Sequence, residues 1–257
     1  MAFFPDRPGN GAFATPTAAP ASVDVGLRTY MLRVYNWMAS GLLLTAISAY
    51  MVANTGLREV FYTMTRTNHG MVPSPTLLGY LAIFAPLAFV MVLSIGVDKL
   101  SRSACQAVFW AFAAAMGISL SNLLMIYTGA SVVQAFIATA GMFAGMSIYG
   151  YTTGADLSRM GSFMVMGLLG IVLAGLVNLF VQSSALQFVI SIISVVVFVG
   201  LTAYDTQRIK QDYLQEAYAQ GSDEAAKRSV MDALSLYLNF INLFTTLLQL
   251  FGTRSRD

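Results

Sequence analysis

The chain of 257 residues is apolar and sparsely charged: 57% of its residues are hydrophobic, 10% are charged, and its mean hydropathy is +0.68. Soluble domains carry about a quarter charged residues, so the composition excludes an ordinary soluble protein. A net charge of +2 without a basic cluster gives no support for nucleic-acid binding.

Reactive side chains are scarce. The one cysteine, Cys105, lies in an apolar run, and the one histidine, His69, lies in a predicted loop. A single cysteine excludes a disulfide framework and a thiolate metal site, and a single loop histidine gives no His-based zinc or Ser-His-Asp site. We therefore expect no catalytic residues, no bound metal and no cofactor.

Charge-free runs define the architecture. Asp, Glu, Lys and Arg are absent from residues 34–57, 67–97, 103–155, 160–204 and 233–253. A transmembrane helix needs about 20 apolar residues, so three of these runs hold one span each and the two longest hold two each. The sequence predicts an all-α, polytopic protein with seven transmembrane helices in the lipid bilayer.

In chain order the predicted spans are 32–52, 76–97, 104–126, 132–152, 161–181, 185–206 and 232–252. Residues 1–27 hold four of the seven prolines and predict a disordered tail; 28–252 form the membrane domain and 253–257 a short tail. The longer connections, 53–75 and 207–231, are predicted loops. In the fourth span, Gly141 and Gly145, and then Gly150 and Gly154, are spaced for close helix packing.

The distribution of Lys and Arg predicts the orientation. Ten of the 14 basic residues lie on the side that holds the N-terminal tail and the 207–231 connection. We expect this side to be cytoplasmic and the C-terminus to lie outside.

The seventh span carries a polar stripe. Its polar residues are spaced three and four apart, which places them on one helix face: Asp232, Ser235, Asn239, Asn242, Thr246 and Gln249. This face should point into the bundle, either to hydrogen-bond with other helices or to line a watery path. We favour helix packing, because such side chains can satisfy one another in a dry bundle.

Asp205 ends the sixth span and is the first charged residue after Arg159. A carboxylate at the end of a membrane helix is a functional-site hypothesis by default. It could instead pair with Arg208 at the membrane surface. If the antiparallel sixth and seventh spans place Asp205 opposite Asn239, the same register places Asp212 opposite Asp232.

Two segments carry a family resemblance: Gly200-Leu-Thr-Ala-Tyr-Asp-Thr-Gln-Arg-Ile-Lys and Ala233-Leu-Ser-Leu-Tyr-Leu-Asn-Phe-Ile-Asn-Leu-Phe. Together they resemble the signature of the Bax inhibitor-1 family, and the compact loops resemble its bacterial branch. The resemblance implies a seven-helix bundle with helix seven central and a pH-sensitive calcium leak. In bacterial members two aspartates form the sensor: one matches Asp205, and the other matches Asn239. A basic residue that latches the closed state falls near Lys99.

The asparagine has a physical consequence. Two facing carboxylates share a proton because double ionisation is unfavourable, whereas an amide donates a hydrogen bond to an ionised carboxylate. We therefore expect Asp205 to stay ionised at neutral pH and the gating to respond less to pH than in the family. The secondary candidates are Arg208, Asn242, Lys99, and the pair Asp212 and Asp232, which we expect to be solvated.

The sequence therefore predicts a slow calcium or cation leak in a bacterial inner (cytoplasmic) membrane, controlled around Asp205. The alternative is a non-conducting modulator of a membrane-bound ATP-dependent protease or stress-response complex. An intramembrane aspartyl protease would need a second acid facing Asp205, so we expect no enzyme.

Overall fold

The computed structural model describes residues 19–67, 70–96, 99–216 and 222–255. In this part of the chain, eight helices and one hairpin follow in order: α1 (Ala19–Asn54), α2 (Leu57–Phe61), β1 (Tyr62–Thr67), β2 (Gly70–Pro75), α3 (Leu77–Gly96), α4 (Arg102–Ile126), α5 (Gly129–Thr152), α6 (Ser158–Val181), α7 (Ser184–Glu216) and α8 (Ser222–Phe251).

Seven of these helices, all but α2, are long and apolar enough to cross a membrane. The predicted all-α, seven-span architecture is confirmed. Burial divides the helices into outer and inner ones. In the most apolar 18-residue window of α6 no residue is buried inside the protein, whereas 56% of the corresponding window of α8 is buried. The last helix is therefore central, as the resemblance implied.

The core forms where α8 packs against α1, α4, α5 and α7. Tyr237 of α8 is fully buried, and its ring lies 5.1 Å from that of Phe112 and 6.3 Å from that of Phe109 on α4. Its hydroxyl lies 2.7 Å from the Thr45 hydroxyl on α1. A buried tyrosine needs such a partner for its hydroxyl, so this one residue joins three helices.

The charged ends of the helices are longer than predicted. α1 begins at Ala19, so the expectation of a disordered tail does not hold for residues 19–27; residues 1–18 lie outside the described residues. α7 and α8 extend through most of 207–231, which corrects the predicted loop. A charge-free run shows which part of a helix lies inside the bilayer, but it does not show where the helix itself ends. Outside the bilayer the helices continue because apolar residues such as Ile209 and Val230 remain buried.

The predicted loop 53–75 also contains regular structure. It forms α2 and an antiparallel hairpin in which Tyr62 pairs with Pro75. The buried Tyr62 hydroxyl donates to the carbonyl oxygens of Ile118 and Ser119 on α4 at 3.2 and 3.3 Å. Charge-free runs indicate membrane spans and carry no information on strand pairing, so this hairpin was not predicted. His69, which the sequence placed in a loop, lies outside the described residues.

Close packing at small residues occurs at one of the four glycines noted in the sequence, of which three lie in α5 and Gly154 follows its end. A Cβ atom at Gly150 would overlap the carbonyl oxygen of Ala203 on α7, whereas Gly141, Gly145 and Gly154 have open space around that position. The prediction of close packing therefore holds for Gly150 and is wrong for the other three.

Candidate functional site

Asp205 of α7 lies inside the bundle. The residue is 7% exposed, and both of its carboxylate oxygens have a partner. Oδ2 accepts a hydrogen bond of 2.7 Å from Nδ2 of Asn239 on α8, and Oδ1 lies 3.1 Å from Nη1 of Arg208. The charge is thus held by one cation and one amide, which is what a buried carboxylate requires.

Local helix geometry explains this arrangement. Asp205 and Arg208 are three residues apart on α7 and therefore share a face, and α7 packs against α8 in the antiparallel direction. Nη2 of Arg208 also donates to the Ser235 hydroxyl on α8 over 3.5 Å. Asp205 therefore makes both the pairing with Arg208 and the inward contact with Asn239, and it makes both from a buried position and not at the surface.

Asp232 of α8 is a second buried carboxylate. It is 8% exposed, and its Oδ2 accepts a hydrogen bond of 2.6 Å from the buried hydroxyl of Tyr30 on α1. Tyr30 in turn lies against Tyr213 of α7, with ring centroids 4.9 Å apart. The expectation that Asp232 is solvated is wrong, because α1 and the extended end of α7 cover it.

Charged groups from two helices surround Asp232. Arg208 and Asp212 on α7, and Arg228 on α8 itself, interact with it electrostatically. Asp212 is half-buried. The interaction of Asp212 with Asp232 agrees with the register that was assumed for Asp205 and Asn239.

The other polar residues of α8 favour the packing interpretation of the stripe. Ser235 contacts Arg208, and Gln249 accepts a hydrogen bond of 3.3 Å from Gln187 of α7. Asn242 is half-buried and Thr246 is buried. Among the described residues, no buried side-chain nitrogen or oxygen lacks a partner.

Lys99 lies in the turn between α3 and α4, where its side chain is exposed. The resemblance placed a latching cation near this residue. The cation that contacts Asp205 is Arg208.

Gln207 and Lys210 also lie at the site, although neither was predicted as a site residue. The buried Gln207 side chain accepts from the backbone nitrogen of Leu157 at 2.8 Å and donates to the carbonyl oxygen of Ala155 at 2.7 Å. Nζ of Lys210 donates to the carbonyl oxygen of Tyr151 at 2.8 Å. These bonds tie the end of α7 to the last turn of α5 and to the connection between α5 and α6. Both residues lie in a segment that was predicted to be a loop. Both also belong to the motif that resembles the family signature, and this could have indicated them as site residues.

The chemistry of the site is that of a paired carboxylate. The residue facing Asp205 is an amide, so this position holds no pair of carboxylates that could share a proton. Within the described residues, no three His, Cys, Asp or Glu side chains come together as a metal site would need. Asp205 and the Asn239 carbonyl supply oxygen ligands, which a hard cation prefers, but too few to hold one tightly.

Comparison with known proteins identifies the family. The family model described as inhibitor of apoptosis-promoting Bax1 matches residues 27–256. The inner membrane protein YbhL of Escherichia coli (strain K12) is 44% identical over 230 residues, which cover 89% of this chain and 93% of YbhL. The uncharacterized protein RP147 of Rickettsia prowazekii is 42% identical over 241 residues, 93% of this chain and 96% of its own length.

A membrane protein of Streptococcus pyogenes serotype M3 is 36% identical over 229 residues, which cover 89% of this chain and 94% of that protein. The family match, over residues 27–256, includes the Asp205 site. The chain is therefore an integral membrane protein that belongs to the Bax inhibitor-1 family.

Proposed function

We propose that this protein is a slow leak for calcium or another cation, controlled by the Asp205–Arg208–Asn239 site. We also propose a bacterial inner membrane as its location, as YbhL is an inner membrane protein. The predicted orientation would place the site at the cytoplasmic side.

The observation that carries the proposal is the buried Asp205 carboxylate between α7 and the central α8. Burial of a charge is costly unless it is paired, and intramembrane carboxylates commonly mark ion pathways. Here the pairing cation belongs to the protein itself, so a permeating cation could take its place without leaving an unpaired charge.

Arg208 is suited to being displaced. Its side chain is 37% exposed, against 10% for that of Asp205, so the guanidinium can regain water when it leaves. Its second contact, to Ser235, is a long 3.5 Å hydrogen bond. When Arg208 swings out, Asp205 and the Asn239 carbonyl would offer oxygens to an incoming cation. Such binding is weak, as conduction requires.

The test is calcium flux into dye-loaded proteoliposomes, with the parent protein compared with Asp205→Ala. We expect flux from the parent and a loss of most of it in the variant, because the anionic group that attracts the cation is gone.

Asp156→Asn is the matched control. Asp156 is an exposed carboxylate in the turn between α5 and α6, and hydrogen bonds from Ser158 lower its pKa, so it also carries charge under the assay conditions. Its variant should retain the parent flux. Equal loss in both variants would indicate a general charge effect and contradict the role of Asp205.

The non-conducting modulator of a membrane protease or stress-response complex remains the alternative. A folded, reconstituted protein that passes neither calcium nor another cation under any condition would overturn the leak and favour the modulator.

A further inference from the structure

A groove on the outer face of the bundle contains polar and aromatic side chains where lipid would be expected. It lies between α1 and α4 and has a volume of about 500 Å³. Arg33, Asn36 and Ser40 of α1 line it, together with the tryptophans Trp37 and Trp110. We propose that this groove binds the headgroup of an anionic phospholipid.

The polar residues form a continuous stripe that enters the membrane. Arg33, Asn36 and Ser40 are spaced three and four apart on α1, so they share one face. At 1.5 Å per residue, Ser40 lies about 10.5 Å deeper than Arg33. A polar face towards hydrocarbon is unfavourable. The Ser40 hydroxyl donates to the carbonyl oxygen of Trp37 in its own helix, whereas the exposed Arg33 and Asn36 would find hydrogen-bond partners in the phosphate and glycerol of a lipid drawn into the groove.

Charge in the groove favours an anionic ligand. Among the residues that the structure describes, Arg33 forms no ion pair, and its side chain is exposed. A guanidinium matches the geometry of a phosphate and binds it through two parallel hydrogen bonds. An unpaired arginine in this position therefore has donors available for a headgroup.

The tryptophans indicate the depth of the groove. The chain has two tryptophans, and their rings meet here with centroids 5.9 Å apart. Tryptophan is enriched at the boundary between headgroups and hydrocarbon. Tyr30, one turn before Arg33, contacts Asp232, so the groove lies at the same end of the bundle as the buried carboxylates. Arg33 can therefore reach the headgroups while the indoles contact the start of the acyl chains.

Because both tryptophans line the groove, intrinsic fluorescence reports directly on its occupant. The test uses the full-length protein in phosphatidylcholine vesicles and compares quenching by brominated phosphatidylglycerol with quenching by brominated phosphatidylcholine. One basic residue near the headgroups corresponds to a preference of about fivefold for the anionic lipid, and we expect quenching by phosphatidylglycerol at correspondingly lower mole fractions.

Variants test whether Arg33 causes the preference. Arg33→Gln should reduce the ratio of preference for phosphatidylglycerol over phosphatidylcholine to about one, while Arg33→Lys should retain most of the preference. Arg28→Gln removes the same charge from α1 outside the groove and should leave it unchanged. Equal losses in Arg28→Gln and Arg33→Gln would show a diffuse charge effect and overturn the site.

Two other outcomes would also overturn the proposal. Equal quenching of the parent by both lipids would show ordinary lipid contact, and no quenching by either would show that protein, such as a second copy, covers the groove. Inorganic phosphate should leave the fluorescence unchanged; a response to phosphate without a lipid preference would assign the groove to a free anion instead.

Discussion

The two buried carboxylates of the α7–α8 pair have different hydrogen-bond and ion-pair partners. Asp205 is held by Arg208, a long and partly exposed side chain, and by the amide of Asn239. Asp232 accepts its hydrogen bond from the buried Tyr30 of another helix. A cation at the edge of the bundle can leave at modest cost, whereas a buried tyrosine between packed helices cannot. This difference is consistent with the proposed control by the first site and with a role of the second in attaching α1 to α8.

The largest effect is expected from Tyr30→Phe, which removes the hydrogen-bond donor to Asp232 and leaves the packing in place. An unsatisfied buried polar group costs about 1–3 kcal/mol, and more if charged. Thermal unfolding of the purified protein should show this loss, with calcium flux of the folded protein unchanged. Tyr50→Phe, an exposed position on the same helix, is the control and should be neutral. A large change in flux would place Asp232 in the conducting site.

Arg208→Gln tests the displaceable partner. Charge-assisted hydrogen bonds contribute about 1.5–3 kcal/mol, and partial exposure reduces this contribution here. The closed state, in which residue 208 covers Asp205, should therefore lose about tenfold in relative population. We expect a flux increase of that order in proteoliposomes. Lys227→Gln removes another cation from the same end of the bundle and should not increase the flux. Reduced flux in Arg208→Gln would mean that Arg208 helps to conduct the ion and does not block it.

Asn239→Asp should produce the smallest change of the three variants, and the change should appear in how the flux depends on pH. The parent flux should be similar at about pH 6 and about pH 8, because a carboxylate that accepts an amide hydrogen bond stays charged. Two facing aspartates share a proton, so the variant site carries less negative charge at the lower pH. Its fluxes at the two pH values should therefore differ several-fold more than those of the parent. Identical pH profiles would exclude Asn239 as the cause of a reduced pH response.

These variants separate the two carboxylates by the property each one changes. Tyr30→Phe should alter stability without flux, and Arg208→Gln should alter flux more than stability. If both variants changed the same property, the two sites would act as one charged network, for which Arg208 and Asp212, interacting with Asp232, provide the connection.

The sequence by itself determined the seven-span architecture, because a bilayer requires long runs of apolar residues and so leaves a direct signal in the order of the amino acids. It placed the polar residues of α8 on one helix face, but the register that sets Asp205 opposite Asn239 was an assumption, and the packing of α7 against α8 decided that contact.

Tertiary structure decided what the charged ends of the helices do. Periodicity could not show that α1 covers Asp232, that Gln207 and Lys210 bind the α5–α6 turn, or that Gly150 alone of four glycines meets a neighbouring backbone. Each of these contacts joins residues far apart in the chain and depends on which helices become neighbours. Outside the bilayer, where water can satisfy exposed polar groups, local sequence leaves several outcomes open, and packing between helices selects one of them.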